Sequence, residues 1–214
     1  MIIALMVAGA AAVTAAWRLV RARVVSVWVA MGTASGVAGL AAIATGRLSL
    51  SARVDWRWAL GAGVAAGLLL YAATAAFVLI VRRWHVFDRH VAEIYDQRKG
   101  LSLSAALILS AGITSPGEEL FWRGLFQGRL SGAIGSVLGA LSAWGAYVVA
   151  NAASGSLAIF AGAVVSGAVW GALAAWTGGV LSSVACHGVW TALMVGLPPG
   201  GPNRRRRPPR EERA

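Results

Sequence analysis

The sequence predicts an all-α, polytopic membrane helical bundle with about seven transmembrane helices and one interfacial amphipathic helix, and three observations predict it. First, 58% of the 214 residues are hydrophobic and only 13% are charged, about half the charged share of a soluble domain, so the chain cannot cover itself with polar surface in water. Second, the apolar residues fall into long runs, and roughly 20 of them cross a bilayer core about 30 Å thick. Third, the 19 basic residues, set against 8 acidic ones, lie in the gaps between those runs and in one tail, where a polytopic chain encodes its sidedness. The net charge of +11 therefore reports topology, and nucleic acid is not expected as a partner. The single cysteine, Cys186, lies inside an apolar run and cannot form an internal disulfide.

Residues 1–81 read as N-terminal membrane helices. Met1 to Ala16 is uncharged and precedes Arg18, Arg21 and Arg23, the reverse of the charge order of a signal peptide, so it is expected as a retained first helix. Val24 to Gly46 and Trp58 to Val81 are the next two spans, separated by a short stretch with Arg47, Arg53, Asp55 and Arg57. Trp17, Trp56, Trp58 and Trp84 sit at the expected helix ends, where indoles favour the headgroup region.

Residues 82–100 change character. Trp84, Phe87, Val91 and Ile94 recur at spacings of three and four with charges between them, which makes one apolar stripe on an amphipathic surface helix. A cytoplasmic helix packed against the bundle fits the same spacing. Residues 101–198 form the membrane core. Leu101 to Thr114 is apolar but short and ends at Ser115-Pro116-Gly117-Glu118-Glu119; Leu130 to Asn203 contains no Asp, Glu, Lys or Arg, enough for three spans with turns near Ala152 to Gly155 and Thr177 to Gly179. Residues 199–214 are rich in Pro and Arg and are expected to be disordered. In a seven-span arrangement fourteen of the 19 basic residues fall on one side, which predicts a multi-pass cell-membrane protein with its N-terminus outside and its C-terminus cytoplasmic.

An ionisable group inside an apolar bundle is costly and calls for a reason. Three candidates arise: the Glu118/Glu119/Arg123 cluster, His187 and Asn151. On a helix beginning near Pro116, Glu119 and Arg123 are four apart and share a face, while Glu118 points about 100° away. One carboxylate is then paired, and the other is left desolvated and free to act as a general base. On spacing alone Ser115-Pro116-Gly117-Glu118 reads first as a capping box with proline at the first helical position, a reading compatible with the catalytic one. Ser183, His187 and Thr191 form a polar stripe that serves either a hydrogen bond between helices or a site. Asn151, one turn after Tyr147, reads locally as a helix-end residue capping carbonyls.

Other signals carry less. Cys186 and His187 are adjacent and cannot face each other as nucleophile and base, and His85 and His90 are not spaced as a metal pair. There is no H-E-x-x-H; a divalent metal is left open, with Glu118 and His187 as its ligands if one is held, but no ligand spacing indicates it and no cofactor is certain. The pairs Gly32/Gly36, Gly63/Gly67, Gly135/Gly139 and Gly167/Gly171 read as close helix packing. A small transporter would need a polar path, and the uncharged half from Leu130 argues against a charged cargo.

The segment Glu118-Glu119-Leu120-Phe121-Trp122-Arg123-Gly124 resembles the E-E-x-x-x-R signature of the CAAX-protease and bacteriocin-processing (CPBP) family of intramembrane endopeptidases. The resemblance covers about Arg82 to Leu197. Tyr147-Val148-Val149-Ala150-Asn151 stands where the family has an aromatic residue four before a histidine, and His187-Gly188-Val189-Trp190-Thr191 stands at its H-x-x-x-N motif. The resemblance implies that Glu118 activates a water, that Glu119 and Arg123 are a structural pair, and that His187 and Thr191 donate to the oxyanion. It also implies a protein or peptide substrate, prenylated or membrane-anchored ones included, in contact with membrane lipid; the Arg-rich tail suits anionic headgroups. Asn151 departs from the expected histidine, since an amide cannot accept a water proton, and Thr191 replaces the usual amide. These departures make a catalytically impaired pseudoprotease, acting as a membrane scaffold or immunity-type binding protein, the alternative function. The charge count places the glutamate pair nearer the outer end of the bundle.

Overall fold

A computed structural model describes residues 2–81, 83–96 and 100–199. The Ile94 side chain of the apolar stripe, three of the basic residues between 82 and 99, and the tail from residue 200 lie outside what is described.

The apolar runs fold as their length dictates. Helices α1 (Ile2–Arg21), α2 (Val27–Ala44) and α3 (Trp56–Val81) are joined by short loops, and each is long and apolar enough to cross a membrane. Ser26 caps α2 by accepting a hydrogen bond from the Val29 amide, satisfying one of the amides that a helix start leaves unpaired. The amphipathic α4 (His85–Asp96) follows. Its Phe87 is buried and packs edge-on against Phe77 of α3, and His90 Nδ1 accepts from the Leu157 amide at 3.1 Å. Part of the stripe, at Phe87, is thus turned onto the bundle, while Trp84 is 55% exposed.

The largest departure from expectation comes next. No helix begins at Pro116. One continuous helical rod runs through α5 (Leu103–Leu107), a π-helical stretch (Ile108–Thr114), α6 (Ser115–Glu119), a second π-helical stretch (Leu120–Gln127) and α7 (Gly128–Ile134). Ser115 has helical angles, and neither it nor Thr114 makes a side-chain cap, so the capping-box reading is wrong. The physical reason lies in proline itself. In a regular helix Pro116 would lack a donor and press its ring on the carbonyl one turn back; the widened turn just before it, in which the Ser115 amide reaches back to Ser110 O, relieves that pressure. Because the rod is continuous, Glu118 and Glu119 sit at its middle.

The uncharged half then forms α8 (Ser136–Ala152), α9 (Leu157–Thr177) and α10 (Leu181–Gly196), with its turns where the sequence placed them. Only α9 of these is long enough by itself to cross a membrane; α8 and α10 are shorter apolar helices. With the rod they complete a seven-element all-α bundle among the described residues, and the protein is a membrane protein.

Small residues set the crossings. Gly63 and Gly67 of α3 abut the α10 backbone at Ser182 and Cys186. Gly39 of α2 lies so close to the rod that an added Cβ would sit 2.7 Å from the Gly117 Cα, and one on Gly117 would run into the Ser35 carbonyl. Gly167 faces the Tyr147 ring. In two expected pairs one member behaves otherwise: Gly135 is a turn residue with φ +88 and open space around it, and Gly32 has room for a Cβ, whereas their partners Gly139 and Gly36 pack closely against Ser131 and Ile113.

Candidate active site

The rod, α8, α9 and α10 bring the costly polar residues together inside the bundle. Glu118, Glu119, Arg123, Tyr147, Asn151 and His187 are all buried. The Glu119 Oε1 atom is the hub, because it accepts from Arg123 Nη1 at 3.1 Å and lies 2.9 Å from His187 Nδ1. Arg123 spends its other terminal nitrogen on the Gly167 carbonyl of α9 at 3.0 Å, and its guanidinium lies over the Tyr147 ring, 4.5 Å from the centroid. The four-residue spacing of Glu119 and Arg123 thus yields the ion pair that was expected. What it did not reveal is that the pair also ties the rod to α9 and α10.

Glu118 is treated differently. Its Oε2 accepts a hydrogen bond from the Tyr147 hydroxyl at 2.9 Å, while the neighbouring cation and imidazole are both bonded to Glu119. Tyr147 was read only as the aromatic member of a motif; its distance of 29 residues from Glu118 left no local signal of this bond. His187 is further held by the Trp170 indole, which stacks on it at 3.6 Å between centroids and 14° between planes. Trp170 was likewise missed, since an indole in an apolar helix reads as ordinary core.

Glu118, Tyr147, Asn151, Trp170 and His187 line one cavity of about 430 Å³, whose remaining wall is largely apolar and includes Leu70, Phe77, Val78, Phe87 and Val91. Its walls come from the end of the bundle where α1 finishes, α2 begins and α4 lies. Thr191 is not part of that lining: its hydroxyl accepts from Ser115 Oγ at 3.1 Å, so it links α10 to the rod. His187 and Thr191 therefore do not face the cavity as a donor pair. The local reading of Asn151 is also corrected, because its amide does not cap a helix end. Its Nδ2 donates to the Tyr147 carbonyl at 2.9 Å, and its Oδ1 accepts from Trp17 Nε1 of α1 at 2.9 Å. Trp17, expected at a headgroup boundary, is buried instead, whereas Trp56, Trp58 and Trp84 are exposed.

Among the described residues, Glu118 and His187 are the His, Cys, Asp or Glu side chains that line this cavity, and no group of three or more such side chains is placed to hold a metal. No curated protein and no solved structure matches the chain. A family profile does: residues 100–193 match Type II CAAX prenyl endopeptidase Rce1-like, the stretch that holds both glutamates, Arg123, Tyr147, Asn151 and His187. Over those residues the chain is similar to the Rce1-like CAAX endopeptidases, the class of membrane protease that its E-E-x-x-x-R segment resembles.

Proposed function

We propose that the protein hydrolyses a peptide bond of a protein or peptide substrate within this cavity, with Glu118 as the base. The observation that carries the reading is the division of labour between two adjacent carboxylates. Glu119 is bonded to Arg123 and His187, while Glu118 lines the cavity with only a phenol on one oxygen. A carboxylate free of cationic partners keeps the basicity that an ion pair would remove.

In the proposed reaction Glu118 takes a proton from water as the water oxygen bonds to the scissile carbonyl carbon, and the carbonyl electron pair moves onto its oxygen. Collapse of that intermediate breaks the C–N bond, and the leaving nitrogen takes the proton from Glu118. Glu119 and Arg123 hold the rod in register, and Glu119 orients His187 through Nδ1, leaving Nε2 to meet the reacting groups. The apolar wall suits an apolar chain on the substrate, such as a prenyl group. The basic side chains at the mouth end, Arg18, Arg21 and Arg23 among them, support a cytoplasmic mouth and an outside N-terminus under the positive-inside rule.

The pseudoprotease reading draws on one specific observation, that the amide of Asn151 cannot accept a proton where the family has an imidazole. A quenched-fluorescence peptide library, with prenylated members, separates the two in protein reconstituted in lipid. Turnover lost in Glu118→Gln and His187→Ala is the expected result. Silence of the folded wild type, with activity gained in Asn151→His, would establish the pseudoprotease.

A further inference from the structure

The family match begins at residue 100, yet a hydrogen bond that shapes the cavity starts well before it. Trp17, near the end of α1, is 7% exposed and lines the cavity with Asn151. The polarity of their bond is fixed by chemistry, because an indole nitrogen only donates. The Asn151 atom facing Trp17 is therefore its carbonyl oxygen, and the amide nitrogen is turned the other way. One of the two hydrogens on Nδ2 goes to the Tyr147 carbonyl; the other remains.

Apart from His187 Nε2, assigned above to the reacting groups, these other donors around the cavity are committed or enclosed. The Tyr147 hydroxyl goes to Glu118, Ser166 to the Gly162 carbonyl, Thr74 to the Leu70 carbonyl, and Trp190 Nε1 to Thr74. Trp170 Nε1 is fully enclosed. We propose that the remaining Nδ2–H of Asn151 is the donor that meets the scissile carbonyl oxygen, and that Trp17 is the positioning residue that keeps the amide from turning over. This inference rests on the hydrolytic reading of the same cavity. As water attacks, negative charge gathers on that oxygen, and a donor already aimed at it in a water-poor site stabilises the charge without reorganising. Turned over, the amide would present Oδ1 and repel it. Asparagine at 151 is then suited to a donor's role, and α1 is part of the catalytic constellation.

The test uses the full-length protein in liposomes and the best-cleaved peptide of the library, with kcat, KM and the unfolding temperature measured for each variant. Trp17→Phe deletes the donor, and replacing the Trp17 indole by benzothiophene deletes only the N–H while keeping the two-ring shape. Both are expected to lower kcat about 10-fold with KM unchanged, and Asn151→Leu to lower it about 10²-fold, in line with the loss of one oxyanion donor. The benzothiophene variant is expected to unfold at the wild-type temperature, which a purely structural role for the bond would not allow alongside a lost kcat. Wild-type kcat in the benzothiophene variant, or a raised KM at constant kcat, would overturn the inference. A folded but silent wild type overturns the hydrolytic reading and this inference with it. Turnover insensitive to Glu118→Gln overturns the proposed base alone, since the Trp17 comparison is made within whatever turnover exists.

Discussion

The helices before residue 82 and the segment from residue 100 onward solve opposite problems. In α1 to α3 the outward side chains are apolar, with Trp58, Leu69 and Ile80 more than two-thirds exposed, and the inward faces meet the rest of the bundle through core side chains such as Val13, Met31 and Leu70 and through close glycines such as Gly63 and Gly67. From residue 100 the bundle buries two glutamates, an arginine and a histidine, and joins the arginine and the histidine at one oxygen of Glu119. The first region invests in fitting a membrane and the second in tolerating charge within it. The comparison teaches that the two are not separable units, because Trp17 and Gly39 reach from the first into the second at Asn151 and Gly117.

Substitutions can break this contrast. The largest effect is expected at Glu118→Gln, which keeps shape and removes the base; kcat should fall about 10²- to 10⁴-fold while the unfolding temperature stays close to wild type. Glu119→Gln should do the reverse, acting first on the fold. It leaves the buried Arg123 guanidinium without its anion, at a cost of about 3–5 kcal/mol, which equilibrium unfolding in bicelles would read. If Glu119→Gln lost activity with full stability, the assignment of the two carboxylates would be exchanged.

Smaller changes sharpen the boundary between the regions. Gly117→Ala drives a methyl into the Ser35 carbonyl of α2 and should cost about 1–3 kcal/mol; the reciprocal Gly39→Ala should behave alike, and a neutral result at both would mean that α2 is not seated on the rod. Trp58→Ala, at a side chain 76% exposed, should stay within about 0.5 kcal/mol of wild type in the same measurement.

How much could be read in advance follows from the same contrast. Where the environment is uniform lipid, hydropathy alone marks the elements, and the turns at 152–155 and 177–179 fall where charge-free runs pause. The Glu119–Arg123 pair was legible because its partners are one turn apart. The rod was not, because Pro116 carries the same local signal whether it starts a helix or follows a widened turn. Trp17 was misread for a similar reason: an indole at the end of an apolar run looks the same facing headgroups or facing Asn151, and 134 residues separate the two partners. Thr191 shared a face with His187 as expected, yet a helix face curves, and one turn further on it meets Ser115 instead of the cavity.

The π-helical stretch at Ile108–Thr114 has a consequence for how this chain can vary in length. Each residue added to or removed from a helix turns everything after it by about 100°. Losing one residue there would let the widened turn close to an ordinary one, but it would carry Glu118, Glu119 and Arg123 round the axis together, away from Tyr147, His187 and Gly167. Loops on either end of the bundle can grow or shrink without that penalty. Selection on this protein should therefore treat a one-codon deletion between 108 and 114 as more damaging than most single substitutions in the same stretch.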